Sequence, residues 1–392
     1  MRWWEYGDGV GRWVAGGAAA GAMVAVAAVG AATDHPHRAS GTEVQISVGR
    51  CGAGWDRPRP GTQVFLLHDT DTRVADVDLV DAAGAVRAEV EGLGPGTTVP
   101  MPVRLGQGRY RFRCAMEGTD PVAGPLVRVT GPAITTPGAE PVTNNDLIGP
   151  VNAYRAAVAA GLADLAGKAD ALEAAVRSGD LAAARAAWLP AHLAYARLGA
   201  AYGTFGDFDT AINGRPDGLA GGVDDPGFTG FLRLEYGLWH GQPAATLEPV
   251  AGKLAADVHA LATDFPDQET DPLDLGLRAH EIMEDAVRFD LTGHTDLGSG
   301  TGLATTLADL DGTATVLDAL RPLLAPRYPA LGAVDTDMAR VRGLLLSART
   351  PDGGWIPVSR LDHALRQGIN GAVGELVERL APVAVLLEPR RT

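Results

Sequence analysis

The chain has 392 residues, of which 46% are hydrophobic, so it is long enough for two or three domains with substantial cores. Acidic residues outnumber basic residues by 48 to 33, which gives a formal net charge of −15. This balance argues against a nucleic-acid partner, whose phosphates are bound by Lys and Arg, and suits either cation binding or an acidic surface that keeps an exported protein in solution.

The first 40 residues contain an uncharged run from Trp13 to Ala32, preceded by Arg2 and Arg12. Small residues at the end of the run suit a signal peptidase, and the run is also long enough to span a bilayer. We interpret residues 1–40 as a signal peptide or a membrane anchor. Either alternative places the rest of the chain in the cell envelope, in the periplasmic space or on the outer face of the cytoplasmic membrane.

Residues 41–130 show apolar residues at every second position, separated by turn residues. The runs Val44 to Val48, Val64 to Leu67 and Arg109 to Cys114 follow this pattern, and Pro95 with Gly96 marks one of the turns. Several short strands joined by such turns predict an all-β sandwich.

Residues 131–146 are rich in Pro, Thr, Gly and Asn, which is typical of a linker. Residues 147–392 then show helical spacing of apolar positions, beginning with the run from Val151 to Leu172. Gly179 is a good helix stop and Asp180 a good helix start. We predict seven to nine helices joined by short connections, which implies an all-α bundle.

The chain contains two cysteines, Cys51 and Cys114, so a zinc site of the CxxC…CxxC type is excluded. In an oxidising compartment, two cysteines on facing strands of the sandwich would form a disulfide. The alternative is a soft-metal site made by both cysteines with Met116. A blue-copper centre needs two histidines, and His68 is the only histidine of the sandwich.

The helical region contains three characteristic stretches: FGDFDTAINGRPDG at residues 205–218, FTGFLRLEYGLWHG at 228–241 and LRAHEIMEDAVRFDLTGHTDLGSG at 277–300. With the preceding β region, they resemble the EfeO branch of the imelysin family over residues 43–390. The resemblance implies a cupredoxin-like sandwich followed by an imelysin-like helical domain. It also implies delivery of iron to an envelope permease, alongside a haem peroxidase partner.

The family's metal site uses a His-x-x-Glu motif, whose side chains project from one face of a helix and can hold one cation. Mixed nitrogen and oxygen ligands suit iron, with zinc or copper as alternatives. Here Leu232 stands at the histidine position, and only Glu235 remains of the pair. A buried Glu235 would need another partner, such as Arg233 or Arg215, or would take up a proton.

Other positions also depart from the family pattern. The resemblance aligns two acids of the preceding helix with Ala196 and Gly199, and a further acid with Asn213. Asp207 and Asp209 persist. The family's site is therefore predicted to be largely dismantled within an intact helical frame.

Two further groups are candidate ligands. His280 and Glu284 are four residues apart on a predicted helix, a spacing that can hold a metal but also describes a solvated face with Arg288 nearby. His294 and Asp296 could contribute ligands from a loop or simply form a turn. AHEIME lacks the second histidine of HExxH, so a zincin-type protease is not supported.

The sequence thus predicts a non-enzymatic, extracytoplasmic iron-binding or iron-relay component of an EfeO-type uptake system. The candidate metal ligands are Glu235, Asp207, Asp209, His280 and Glu284. An alternative is a degenerate family member that acts as a structural or interaction protein without metal. An imelysin-type metallopeptidase ranks last, because no set of three ligands with a general base can be assembled.

Overall fold

The computed structural model describes residues 40–136 and 138–390, so the predicted signal peptide or anchor lies outside the described residues except for Ser40. The N-terminal part of the described chain consists of short strands. They are β1 (Thr42–Ile46), β2 (Gly61–Asp69), β3 (Ala75–Asp81), β4 (Val86–Leu93), β5 (Thr98–Leu105), β6 (Gly108–Met116), β7 (Val122–Ala123) and β8 (Val127–Val129).

The strands form two sheets, as the alternating pattern predicts. One sheet has the order β1-β2-β5, with β1 parallel and β5 antiparallel to β2. The other has the order β4-β3-β6-β7, with β8 also paired to β6, and its pairings are antiparallel. Because successive side chains of a strand point to opposite faces, every second residue enters the core between the sheets. The all-β prediction for this region is confirmed.

The sandwich core is built on an aromatic cluster and a disulfide. Phe65 on β2 meets Trp55 and Phe112 in edge-to-face contacts, with ring centroids 5.0 and 5.2 Å away. Cys51 is bonded to Cys114 of β6, with their Cα atoms 5.9 Å apart. Neither thiolate is therefore available to a soft metal.

Helices make up the rest of the described chain. They are α1 (Asn144–Arg177), α2 (Leu181–Ala196), α3 (Tyr202–Phe205), α4 (Asp207–Asn213), α5 (Gly230–Trp239), α6 (Ala244–Asp264), α7 (Pro272–Asp285), α8 (Gly302–Arg327), α9 (Leu331–Leu346) and α10 (His363–Leu386). The described residues thus hold ten α-helices rather than the seven to nine predicted. The difference comes from α3 and α4, which are too short to show helical periodicity.

The first long helix begins inside the segment predicted as a linker, residues 131–146. The Thr143 hydroxyl accepts the backbone N–H of Asp146, whose carboxylate accepts the N–H of Thr143 at 2.8 Å. This capping box satisfies the free amides of the first turn and fixes the start of α1. Farther on, Asp180 caps α2 through the amides of Ala182 and Ala183, so the helix start predicted there is confirmed.

The candidate site depends on how α4 and α5 meet. Gly230, the first residue of α5, has φ +80°, and a Cβ there would lie 2.1 Å from the carbonyl oxygen of Ile212. Only glycine permits both this backbone conformation and this close approach. The beginning of α5 is therefore pressed against the end of α4, which fixes the face that carries Leu232 and Glu235.

The β-sandwich and the helical region are also joined near the C-terminus. Arg390 donates to both carboxylate oxygens of Glu89 on β4, at 2.8 and 2.9 Å, and its backbone N–H donates to the Val142 carbonyl. The Arg390 side chain is 6% exposed. A bidentate, mostly buried ion pair thus links the end of the chain to the sandwich. No helix among the residues described is both long and apolar enough to cross a membrane.

Candidate metal centre

Glu235 lies on α5 with its side chain in the interior of the helical domain, only 1% exposed. Its Oε1 accepts the backbone N–H groups of Leu297, at 3.1 Å, and Ser299, at 3.0 Å. Burial raises the pKa of this carboxyl to about 7, against the opposing effect of the hydrogen bonds from Ser299 and Leu297. Of the partners that the sequence suggests, neither Arg233 nor Arg215 forms an ion pair with Glu235 in the described part of the chain.

Asp209, one of the acids that persist on α4, is held by a tyrosine. The Tyr195 hydroxyl of α2 donates to Asp209 Oδ1 at 2.5 Å. Burial raises the pKa of Asp209, while the hydrogen bond and the positive charges of Arg278 and Arg215 lower it. The second persistent acid, Asp207, is exposed in the first turn of α4.

His280 and Glu284 lie on a partly exposed face of α7, with Nδ1 of the histidine 3.9 Å from Oε2 of the glutamate. They form a loose pair one turn apart and do not meet Glu235 in a common cluster. Across residues 40–136 and 138–390, no group of three or more His, Cys, Asp or Glu side chains is arranged to hold a metal ion.

Apolar side chains fill the space where the family resemblance implies acids and a histidine. Leu232 and Ala196 are both buried. A Cβ at Gly199 would stand 3.1 Å from Cγ1 of Ile282 on α7, so Ile282 covers that position. An acid at residue 199 would fit only if Ile282 moved. The departures from the family pattern are thus accompanied by complementary packing.

A buried histidine lies beside these replaced positions. His192 of α2 is 5% exposed, and its ring stacks on Trp188 at 4.8 Å. Burial lowers the pKa of His192 to about 4, so its imidazole is neutral. Among the described residues His192 Nδ1 and Asn213 Oδ1 have no hydrogen-bond partner of regular geometry, although the Asn213 side chain is close enough to His192 to oppose part of the fall in its pKa. Helical spacing is the sequence signal that could have located this ring, because His192 is four residues before Ala196 and therefore shares its helix face.

A second buried pair, Asp290 and Asp309, is not among the sequence-predicted ligands. Asp290 ends a π-helical turn after α7 and receives a hydrogen bond from the Thr295 hydroxyl at 2.5 Å, while Asp309 is on α8. Burial raises the pKa of both carboxyls, and the nearby charge of Asp290 raises that of Asp309 further. The feature of the sequence that could have revealed Asp309 is a series of polar residues spaced three and four apart on α8. They are Thr306, Asp309 and Thr313, and all three are buried.

Tyr202 lies close to both sets of buried acids, Asp209 on α4 and the pair of Asp290 and Asp309. Its ring stacks on that of Tyr195 at 4.8 Å, and its hydroxyl donates to the Tyr195 carbonyl. Burial raises the pKa of Tyr202, and the nearby charges of Asp309 and Asp209 raise it further. Burial thus shifts the phenols and carboxyls around Tyr202 towards their protonated forms, while among the described residues the Tyr202 hydroxyl bonds to backbone and not to an acid.

The loop between α7 and α8 closes over Glu235. Asp296 Oδ1 accepts the amides of Gly298 and Gly300, both at 3.0 Å, and His294 Nε2 lies 3.1 Å from Asp217. These contacts build a turn, which is one of the two alternatives that the sequence leaves for His294 and Asp296. Hydrogen bonds within this turn place the amides of the loop against Glu235.

Comparisons with known proteins agree with this architecture. The family model described as Peptidase_M75, imelysin, matches residues 150–382. The proteins named "Iron uptake system component EfeO" from Escherichia coli O157:H7, Escherichia coli strain K12 and Shigella flexneri are each 29% identical to the chain over 328 residues. Each alignment covers 83% of this chain and 86% of the relative.

Proposed function

The chain belongs to the imelysin family, and on that premise we propose that it is an extracytoplasmic component of an iron-uptake system that holds iron transiently and relays it. The observation that carries this role is the length of the similarity to the EfeO proteins. The 328 aligned residues exceed the span from Asn144 to Leu386, so the likeness includes part of the β-sandwich as well as the helices.

The donor atoms around Glu235 support weak rather than tight binding of the ion. A carboxylate is a hard oxygen ligand that suits iron, whereas copper and zinc would gain more from imidazole or thiolate. The histidine position of the motif holds Leu232, and one Glu235 oxygen already accepts two amides. A site of this kind exchanges its ion readily, which suits a relay and not a store.

A second role is favoured by the packing of the site. Leu232, Ala196 and Ile282 fill the positions from which the family's ligands would project. This packing favours a member that acts as a structural or interaction protein of the envelope and binds no metal. The two roles differ in a measurable property, the iron content of the purified protein.

The discriminating experiment is metal analysis of the full chain, followed by titration with Fe(II), Fe(III), Zn(II) and Cu(II). Iron that binds and is lost on dialysis supports the relay. Iron that never binds supports the metal-free role. We expect Leu232→His to increase iron affinity, because its imidazole would lie one turn from Glu235 on the same face of α5.

The matched control is Leu232→Gln, which buries a polar side chain at the same place without supplying an imidazole. Equal affinities of the histidine and glutamine variants would show that the remaining ligands no longer converge. Unfolding curves of both variants would establish that each is folded.

Partners and location complete the proposal. The predicted export segment and the disulfide suit a protein outside the cytoplasm, where an iron permease and a haem peroxidase of the same system would be the partners. No catalytic residue is assigned, and the role is non-enzymatic.

A further inference from the structure

A cleft in the helical domain carries positive charge that the iron role does not use. It has a volume of about 500 Å³ and lies between the loop that precedes α8 and the segment that leads into α10. Arg360, Arg366 and Ser359 line one side, and Asp296, Gly298 and Gly300 line the other. A volume of this size is typical of sites for small molecules.

The two arginines are not neutralised by carboxylates. Within the described residues the Arg360 guanidinium makes no ion pair or hydrogen bond, although the chain carries a net charge of −15. Arg366 donates to the backbone carbonyl of Val358, which fixes its guanidinium at the cleft. The fixed guanidinium of Arg366 and the unpaired guanidinium of Arg360 together provide several N–H donors that match the oxygens of carboxylates and phosphates.

One acid also faces the cleft. Asp296 contributes a negative charge, but its Oδ1 is occupied by the amides of Gly298 and Gly300. The side chains that line the cleft therefore carry one more positive charge than negative charge. This net positive charge favours a ligand with two or more anionic groups, one for each guanidinium, over a neutral ligand.

Successive residues of the loop between α7 and α8 alternately line the cleft and contact Glu235. Asp296, Gly298 and Gly300 line the cleft, whereas the amides of Leu297 and Ser299 hold Glu235. A ligand in the cleft would thus lie across one layer of backbone from the candidate metal centre.

We infer that this cleft binds a small oxyanion that carries at least two carboxylate or phosphate groups. The ligand site stands on the charges and shape of the cleft and is independent of any iron bound at Glu235. Its test can therefore fail while the iron-relay role survives, and the reverse also holds.

The test is isothermal titration calorimetry of the full chain with citrate and, separately, with pyrophosphate, both without added metal. We expect saturable binding of at least one of them, weakened by added salt because the contacts are ionic. Arg360→Gln should weaken binding by about tenfold or more, since it removes charge-assisted hydrogen bonds. Preference for citrate would identify a polycarboxylate ligand, and preference for pyrophosphate a ligand with two or more phosphate groups.

The matched control is Arg104→Gln, which removes an exposed arginine from the β-sandwich and should leave the affinity unchanged. Absence of saturable binding of both probes by the unmodified chain would overturn the inference. Equal weakening by the Arg360 and Arg104 substitutions would also overturn it, because attraction would then be non-specific. Arg366→Lys, which keeps a positive charge, should weaken binding while leaving the unfolding transition in place.

Discussion

Replacement of Glu235 by glutamine tests whether this buried carboxyl is held at an energetic cost. The pKa of Glu235 rises from 4.5 to about 7 because the side chain is buried. Each pKa unit corresponds to about 1.4 kcal/mol of difference between the protonation states, so ionisation of folded Glu235 costs about 3 kcal/mol. Glutamine keeps the oxygen that accepts the loop amides and carries no charge.

The direction in which the free energy of unfolding changes with pH follows from proton binding to Glu235. Between pH 4.5 and about 7 the folded chain holds a proton on Glu235 that the unfolded chain has released. The contribution of Glu235 to stability is therefore fully present below pH 4.5 and is lost as the pH rises through the folded pKa. We expect the advantage of Glu235→Gln in free energy of unfolding to grow by about 3 kcal/mol between about pH 4.5 and about pH 8.

The measurement is urea unfolding of both chains at several pH values, followed by circular dichroism. Other buried acids titrate in both chains and cancel in the difference between them. Glu248→Gln, at an exposed position of α6, is the control and should show no such trend. A difference between Glu235→Gln and the unmodified chain that stays constant with pH would refute the account of Glu235 as a carboxyl destabilised by burial.

Three further predictions concern other buried groups. Replacing Cys51 and Cys114 together by serine should lower the stability of the sandwich by about 2–4 kcal/mol in thermal or urea unfolding, because the disulfide closes a long loop. Arg390→Gln should cost about 1–3 kcal/mol, between the values for exposed and fully buried ion pairs, and limited proteolysis should then cut more readily between the sandwich and the helices. Asp309→Asn should flatten the loss of unfolding free energy as pH rises, since burial raises the pKa of Asp309 and its ionisation destabilises the folded chain.

Local patterns in the sequence were sufficient for the two-part fold. Alternating apolar residues such as Phe65 and Leu67 predict the inward face of β2, and both are fully buried. Leu247, Leu254 and Val258 likewise give the buried face of α6. These patterns succeed because burial of one face of an element imposes its own period on the sequence.

The candidate site was only partly predictable. For a buried Glu235 the sequence offered an arginine partner or an added proton, and it did not indicate the loop amides that the carboxyl meets. Leu297 and Ser299 contribute backbone amides, which leave no trace in residue identity. The meeting of Asp290 with Asp309 depends on the packing of α8 against the π-helical turn, and a contact between such distant residues has no local period to reveal it.

Glu235 has two roles that compete for the same atom, and this competition yields a last prediction. Its Oε1 holds the loop in place by accepting the amides of Leu297 and Ser299. Loss of these donors would strongly raise the free energy of the buried Glu235 anion. An iron ion that used this oxygen would have to displace them, although it would supply its own charge in return. On the proposed relay role, added iron should therefore speed hydrogen exchange at Leu297 and Ser299, as measured by NMR, while the amides of Ala182 and Ala183 at the Asp180 cap stay unchanged. Unaltered exchange at the loop in the presence of bound iron would place the ion away from Glu235. The loop over Glu235 would then keep its hydrogen bonds when iron binds, and the relayed ion would have to bind to other acids of the chain.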